Sequence, residues 1–191
     1  MDAKHFIDFL RLYRTITDDD AAVIANALQY RNVKAGTVLL EAGAISKELF
    51  FILQGILKIV VLNEKGNLVT YYFLKENLFC TILGSFNAGT VTDESIVAAT
   101  DAQLLFFTKQ NLEGLYAQLS YFREMLAAIM QEMLLYKIQV KNSYMGLDAA
   151  ERYHKFVTQQ SDIALCVSLG DVASYLNITQ QSLSRIRKNK P

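Results

Sequence analysis

The stretch from residue 34 to 74, KAGTVLLEAGAISKELFFILQGILKIVVLNEKGNLVTYYFL, limits the possible folds more than any other part of the chain. β-Branched and aromatic side chains dominate it, and glycine returns at 36, 43, 55 and 66. Apolar runs this short, bounded by turn residues, do not build a long helix. They predict strands of a small antiparallel barrel or roll. NEKGN, set between two apolar runs, predicts a hairpin turn, and SIVAATDAQLLFF continues the strands. The spaced glycines belong to the turns and carry no chemistry.

Helical patterns flank the strands. HFIDFLRLY steps its apolar residues by three and four, and TDDDAAVIANAL opens on a capping Thr17 with an acid-rich first turn. After the strands, TKQNLEGLYAQL starts at a cap on Thr108, and a helix free of glycine and proline is predicted over 121–143. Within it Phe122, Leu126, Ile129, Met133, Tyr136 and Val140 step by four and three, the spacing of a heptad seam. Leu119, Met125, Met130, Leu134 and Leu135 add more apolar surface than one face needs. The pattern predicts a helix that touches both its own roll and the same helix of a second copy, hence a homodimer with those six seam residues as its interface. Gly146 marks the boundary to a further helix capped by Asp148.

With 52% hydrophobic residues and a single proline, the chain can bury a substantial core. No apolar run reaches the ~18 residues of a membrane span, so no membrane partner is expected. The opening MDAKHFIDFLRLYR mixes acids and bases and does not read as a secretory signal. Cys80 and Cys166 form no CxxC pair and are expected to be buried structural thiols in a reducing cytoplasm. The two histidines, His5 and His154, are isolated, so no metal cage is expected. Neither a nucleophile elbow, a zinc-protease helix, nor a glycine-rich phosphate loop occurs. The expectation is a protein with no cofactor that is not an enzyme.

The tail from Asp171 to Pro191 carries a net charge of +3, against −3 for everything before it, in a chain with 19 basic and 19 acidic residues. Arg185, Arg187, Lys188 and Lys190 supply those cations, and an anionic partner, double-stranded DNA first of all, follows. The sequence there, LGDVASYLNITQQSLSRIRKNK, has the pattern of a helix-turn-helix. Small Ala173 lets two helices approach, Asn177 tolerates the left-handed turn, Ile178 plugs the crossing, and Thr179 caps the second helix. Leu183 and Ile186 point inward, leaving Gln180, Gln181, Ser182, Ser184, Arg185 and Lys188 outside. Glutamine pairs with adenine, arginine with guanine, and serine with bases or phosphates, while Arg187 and Lys190 are placed to touch phosphate.

In this order, roll, long helix and terminal motif resemble the cyclic AMP receptor protein (CRP/FNR) family of bacterial transcription regulators over nearly the whole chain. ASYLNITQQSLSRIRK is similar to the terminal helix-turn-helix of the family's Bacteroidetes-type branch, and LDAAERY to the helix before it. The resemblance implies an α+β chain: a double-stranded β-helix (jelly-roll, cyclic-nucleotide-binding-like) over 1–118, a dimerisation helix over 119–145, and an all-α helix-turn-helix over 146–191. It implies a cytoplasmic homodimer on a two-fold symmetric operator, with Gln180, Gln181 and Arg185 on the bases. The family's tail continues into a β-wing, whereas this sequence reaches Pro191 first, which implies modest, salt-sensitive affinity.

Members that bind cyclic AMP carry a cassette like FGEL, then an arginine beside a small residue. The corresponding stretch here is NLFCTILGSFNAGTVTDESIVAA. By register Thr81 stands for the glycine, Ile82 for the ribose-binding glutamate, and Asp93 or Glu94 for the phosphate-binding arginine. No Arg or Lys occurs between Lys75 and Lys109. A phosphate set beside acids is repelled, so cyclic AMP is not the expected effector. Lys137 and Ile138 occupy the adenine-contact positions on the long helix. These six residues form the expected pocket, for an unknown neutral or apolar small molecule or for none. The iron–sulfur branch needs several cysteines, and a haem branch a histidine in the roll. Two other readings stay open: a roll whose terminal helices dock protein in place of DNA, and a cupin-like enzyme, which lacks its metal ligands. Burial of Gln180, Gln181 and Arg185 would favour protein docking; their exposure favours DNA.

Overall fold

The structure, a computed structural model, describes residues 3–64 and 66–188. Two short helices, α1 (Ala3–Arg11) and α2 (Asp18–Ala27), lead into the strands. Thr17 caps α2 as expected, its hydroxyl accepting from the Asp20 amide at 3.1 Å. The strands follow as β1 (Gln29–Val33), β2 (Val38–Leu40), β3 (Glu48–Gln54), β4 (Leu57–Leu62), β5 (Leu68–Leu74) and β6 (Phe79–Cys80). After a one-turn helix α3 (Leu83–Ala88) come β7 (Glu94–Ala98) and β8 (Ala102–Thr108). They form two antiparallel four-stranded sheets, β1-β8-β3-β6 and β2-β7-β4-β5, and the fold is α+β with a jelly-roll N-terminal unit. β4 and β5 pair antiparallel, with Leu62 opposite Leu68.

Between the sheets, Phe50, Ile52, Leu57, Ile59, Leu74, Ile96, Leu104 and Phe106 make one core. The alternate residues of β3, Leu49 and Phe51, face the other way into a second core, shared with Phe6, Phe79, Phe107 and Phe122. A strand covered on both faces explains why LFFIL reads as an unbroken apolar run.

From Thr108, which caps it through the Asn111 amide at 3.1 Å, α4 (Lys109–Gln118) leads to α5 (Phe122–Asn142). The tail holds α6 (Ala149–Gln159), α7 (Ser161–Cys166), α8 (Leu169–Tyr175) and α9 (Gln180–Lys188). Asp148 and Glu151 close a reciprocal capping box on α6. The short helices α3 and α7 fall where the sequence reading placed none. Of the two thiols expected inside, Cys80 is buried, and burial pushes it up to about 12. Cys166 is exposed, because it ends α7 on the outer side of the tail.

The tail does not hang free. Phe73 of β5 and Ile56 share a third core with Phe156, Ile163, Val172, Ala173, Leu176 and Leu183. Around this core Lys58 pairs with Asp171, Lys75 pairs with Asp162, and the Ser174 hydroxyl accepts from the Thr70 amide at 2.8 Å. The roll therefore seats α8 along strand β5.

Candidate nucleic-acid interface, roll pocket and long helix

The helix-turn-helix geometry is built from α8, a tight turn and α9. Ser168 caps α8 through the Asp171 amide at 3.1 Å. Asn177 takes φ 53°, the left-handed conformation that a short amide side chain tolerates. The Ile178 amide then donates to the Ala173 carbonyl at 2.9 Å, and Ala173, 1% exposed, lets α8 and α9 cross closely. Thr179 caps α9, accepting from the Ser182 amide at 3.0 Å and donating to the Ser182 hydroxyl at 2.9 Å. Ser182 is therefore half-buried in the cap rather than free.

Leu183, 1% exposed, anchors the inner side of α9. Gln180, Gln181, Ser184, Arg185, Arg187 and Lys188 are exposed. At about 100° per residue, Gln181, Arg185 and Lys188 share one side, with Ser184 at its edge. Gln180 departs from the expected Gln180–Gln181–Arg185 face. A Cβ placed on Gly170 would meet its Nε2 at 2.8 Å, so this side chain folds back over the start of α8. With Ser184, Arg187 and Lys188 it borders a groove of about 810 Å³, whose floor is Val157, Leu165, Leu169 and Leu183. The three cations of α9 occupy its last turn, where the helix dipole favours them. Lys190 lies outside the described residues.

The six residues expected to form an effector pocket sit in different settings. Thr81 is buried, donating to the Glu48 carbonyl at 2.9 Å and lying 2.9 Å from the Ser46 hydroxyl. Ile82 is 5% exposed and belongs to the core between the sheets. Asp93 is exposed, and Ile138 faces outward from α5 with 43% exposure. Glu94 is coupled to both Asp93 and Lys137. Burial pushes the Glu94 carboxyl above the usual carboxylate range, Asp93 adds to the shift and Lys137 opposes it. Burial holds Lys137 below the usual lysine range, opposed by Cys80 and Glu94. The Lys137 ammonium also stands 5.3 Å from the Tyr72 ring centre, and that of Lys141 stands 3.5 Å from Tyr71. A lysine count along the roll misses this cation, which enters from α5.

The expected seam on α5 also needs correction. Phe122, Leu126 and Ile129 are at most 4% exposed and lie in the protomer's own second core. Met133 packs against the same core, Val140 is half-buried, and Tyr136 is exposed at 53%. Four of the six seam residues therefore pack within the chain, because α5 crosses its own roll through its first three turns. A different stripe is left without cover: Leu134 at 48%, Ile138 at 43% and Met145 at 75% exposure, with Ala127 and Gln131 in line. Ala127, Gln131, Leu134 and Ile138 step by four and three on the side of α5 away from the core, and Met145 follows in the turn after the helix.

A closed two-sheet roll, a long helix with an uncovered apolar stripe and a docked helix-turn-helix together define a cyclic-nucleotide-binding-type roll joined to a helix-turn-helix unit. Residues 30–119 match the family model of the cyclic nucleotide-binding domain. The c-di-GMP responsive global regulator CLP of Xanthomonas campestris matches the fold with a TM-score of 0.71 at 14% identity, over 90% of each chain. FixK2 from Bradyrhizobium japonicum gives 0.70 at 15% identity, over 84% of this chain and 83% of its own. The catabolite activator protein of Thermus thermophilus gives 0.57 at 15% identity, over 93% of this chain and 84% of its own. At these identities the likeness is one of fold. A search of curated protein sequences finds no relative of this chain. Among the described residues, no helix is long and apolar enough to cross a membrane, and no three His, Cys, Asp or Glu gather as metal ligands.

Proposed function

We propose that the protein is a homodimeric, DNA-binding transcriptional regulator of the CRP/FNR type, acting in the cytoplasm, whose roll does not take cyclic AMP. The observation that carries this reading is the outward side of α9, where Gln181, Arg185 and Lys188 stand exposed together while Leu183 is sealed behind them. Gln181 and Arg185 are positioned to read base edges, and Lys188, Gln180 and Arg187 to meet phosphates. Pairing Asp162 and Asp171 with roll lysines supports the same reading, since it offsets two acids of a tail that approaches a polyanion.

Selection from random duplexes at low salt should enrich a two-fold symmetric site. On that site Arg185→Ala should cost roughly 1–3 kcal/mol, and much less on random DNA. Lys188→Ala should weaken both alike and flatten the salt dependence by about one unit of slope. No enriched symmetric sequence would remove the DNA reading.

Cyclic AMP should give no saturable heat in calorimetry. Ile82, an apolar core residue, stands at the register of the ribose-binding glutamate, the acids Asp93 and Glu94 stand at that of the phosphate-binding arginine, and Lys137 is engaged by Glu94 and Tyr72. A micromolar or tighter dissociation constant would overturn this assignment.

A further inference from the structure

A second opening lies outside the roll interior, between α3, α4 and α5. It has a volume of about 360 Å³, and its walls are Leu83, Phe86, Leu112, Leu126, Met130 and Leu134. That size is at the lower end of small-molecule sites, which run from about 300 to 1,000 Å³. Leu83 and Leu134 stand 43% and 48% exposed at its mouth, so apolar surface faces water there. Thr81, Asn87 and Gln131 are uncharged, and the one ionic residue bordering the groove is Arg123.

Arg123 is stacked on an aromatic wall of the groove. Its guanidinium carbon lies 4.2 Å from the centre of the Tyr116 ring, which also borders the groove. Stacking fixes the plane of the guanidinium while leaving its N–H edge free to donate. Arg123 makes no ion pair and no side-chain hydrogen bond among the described residues. A preset, unpaired fork at the rim of an otherwise apolar groove is complementary to a carboxylate on an apolar tail.

We propose that this groove binds an amphipathic carboxylate of the medium-chain fatty acid class, with its chain along Leu83, Phe86, Leu112 and Met130 and its carboxylate on Arg123. The proposal does not rest on DNA binding, and its test contains no DNA. Ala127, Gln131 and Leu134 border both the groove and the uncovered stripe of α5, so in a pair of copies the site lies beside the seam.

The test is calorimetry on the full chain with decanoate, below its micelle concentration, and with decanol as the uncharged probe. Decanoate should bind once per chain and more tightly than decanol. Arg123→Met should weaken decanoate by about tenfold or more and leave decanol unchanged. Leu83→Asp, at an exposed position that the fold tolerates, should weaken both. In parallel, the methyl resonance of Met130 should shift on adding decanoate. The proposal fails if decanoate does not bind, if it binds no more tightly than decanol, or if Arg123→Met leaves its affinity intact. It also fails if the Met130 methyl stays in place, which would include the case of a partner's helix already filling the groove.

Discussion

Leu134→Asp with Ile138→Asp should turn a dimer into folded monomers. Both side chains are 43–48% exposed in the protomer and belong to none of its cores, so the substitutions leave internal packing intact. Across a two-fold axis each residue occurs twice, and covering the remaining surface of four such side chains stabilises a pair by about 3–6 kcal/mol. Four unpaired carboxylates in that seam would add a further penalty. A loss of about 4 kcal/mol or more corresponds to roughly a thousandfold in Kd, enough to dissociate a micromolar solution. Sedimentation should show monomers for the double variant and dimers for the parent, with thermal midpoints within a few degrees. The pair Ile129→Asp and Met133→Asp, on the stripe first expected to form the seam, should behave differently. Ile129 is 0% exposed under its own roll, so a carboxylate introduced there should unfold the protomer. A parent that sediments as a monomer at micromolar concentration, or a double variant that stays dimeric, would remove this assignment.

The contrast between these two stripes shows what the sequence could and could not reveal. Periodicity shows that α5 has apolar positions at steps of three and four, but several stripes satisfy that rule. Which one faces the roll depends on where the helix enters, and that is fixed by Phe122 inserting beside Phe107, with ring centres 6.1 Å apart. Local devices were legible because their physics is local. The caps at Thr17, Thr108, Asp148 and Thr179 each accept an amide two or three residues away. Asn177 and the Ala173–Ile178 contact likewise need only a six-residue window. Contacts between distant segments were not legible. Lys137 reaches Tyr72, and Lys58 reaches Asp171, across long stretches of chain with no spacing rule to announce them. Gln180 misled for a related reason: an outward position at the start of α9 is also a position over Gly170, and only the crossing of the two helices decides where the amide lies.

Gly55→Ala should be the most damaging small substitution in the roll. Gly55 turns β3 into β4 at φ 92°, a conformation that L-residues avoid at a cost of about 1–2 kcal/mol. Its situation is worse than that of Gly43, which has a similar φ of 87° and open space where a Cβ would go. At Gly55 the new Cβ would stand 2.3 Å from the Asp101 carbonyl oxygen and 2.9 Å from the Ala102 Cα. Both are backbone atoms of the turn into β8, so no side chain can swing aside. The neighbours are also committed: the Gly55 amide donates to Glu76 at 2.7 Å, and the Ile56 amide to the Thr100 hydroxyl at 2.9 Å. Strain and clash together should cost about 3–4 kcal/mol, against about 1 kcal/mol for Gly43→Ala. In a chain of this size that difference lowers the thermal midpoint by roughly 5–10 °C more at Gly55. The damage should also reach the tail. Ile56 is 4% exposed in the core it shares with Phe156, Val172 and Leu176, so moving this turn shifts the surface on which α8 sits. Hydrogen exchange in α8 should therefore accelerate in Gly55→Ala and not in Gly43→Ala. Equal midpoints for the two variants would mean that the turn yields easily and that the close approach of Asp101 does not constrain it.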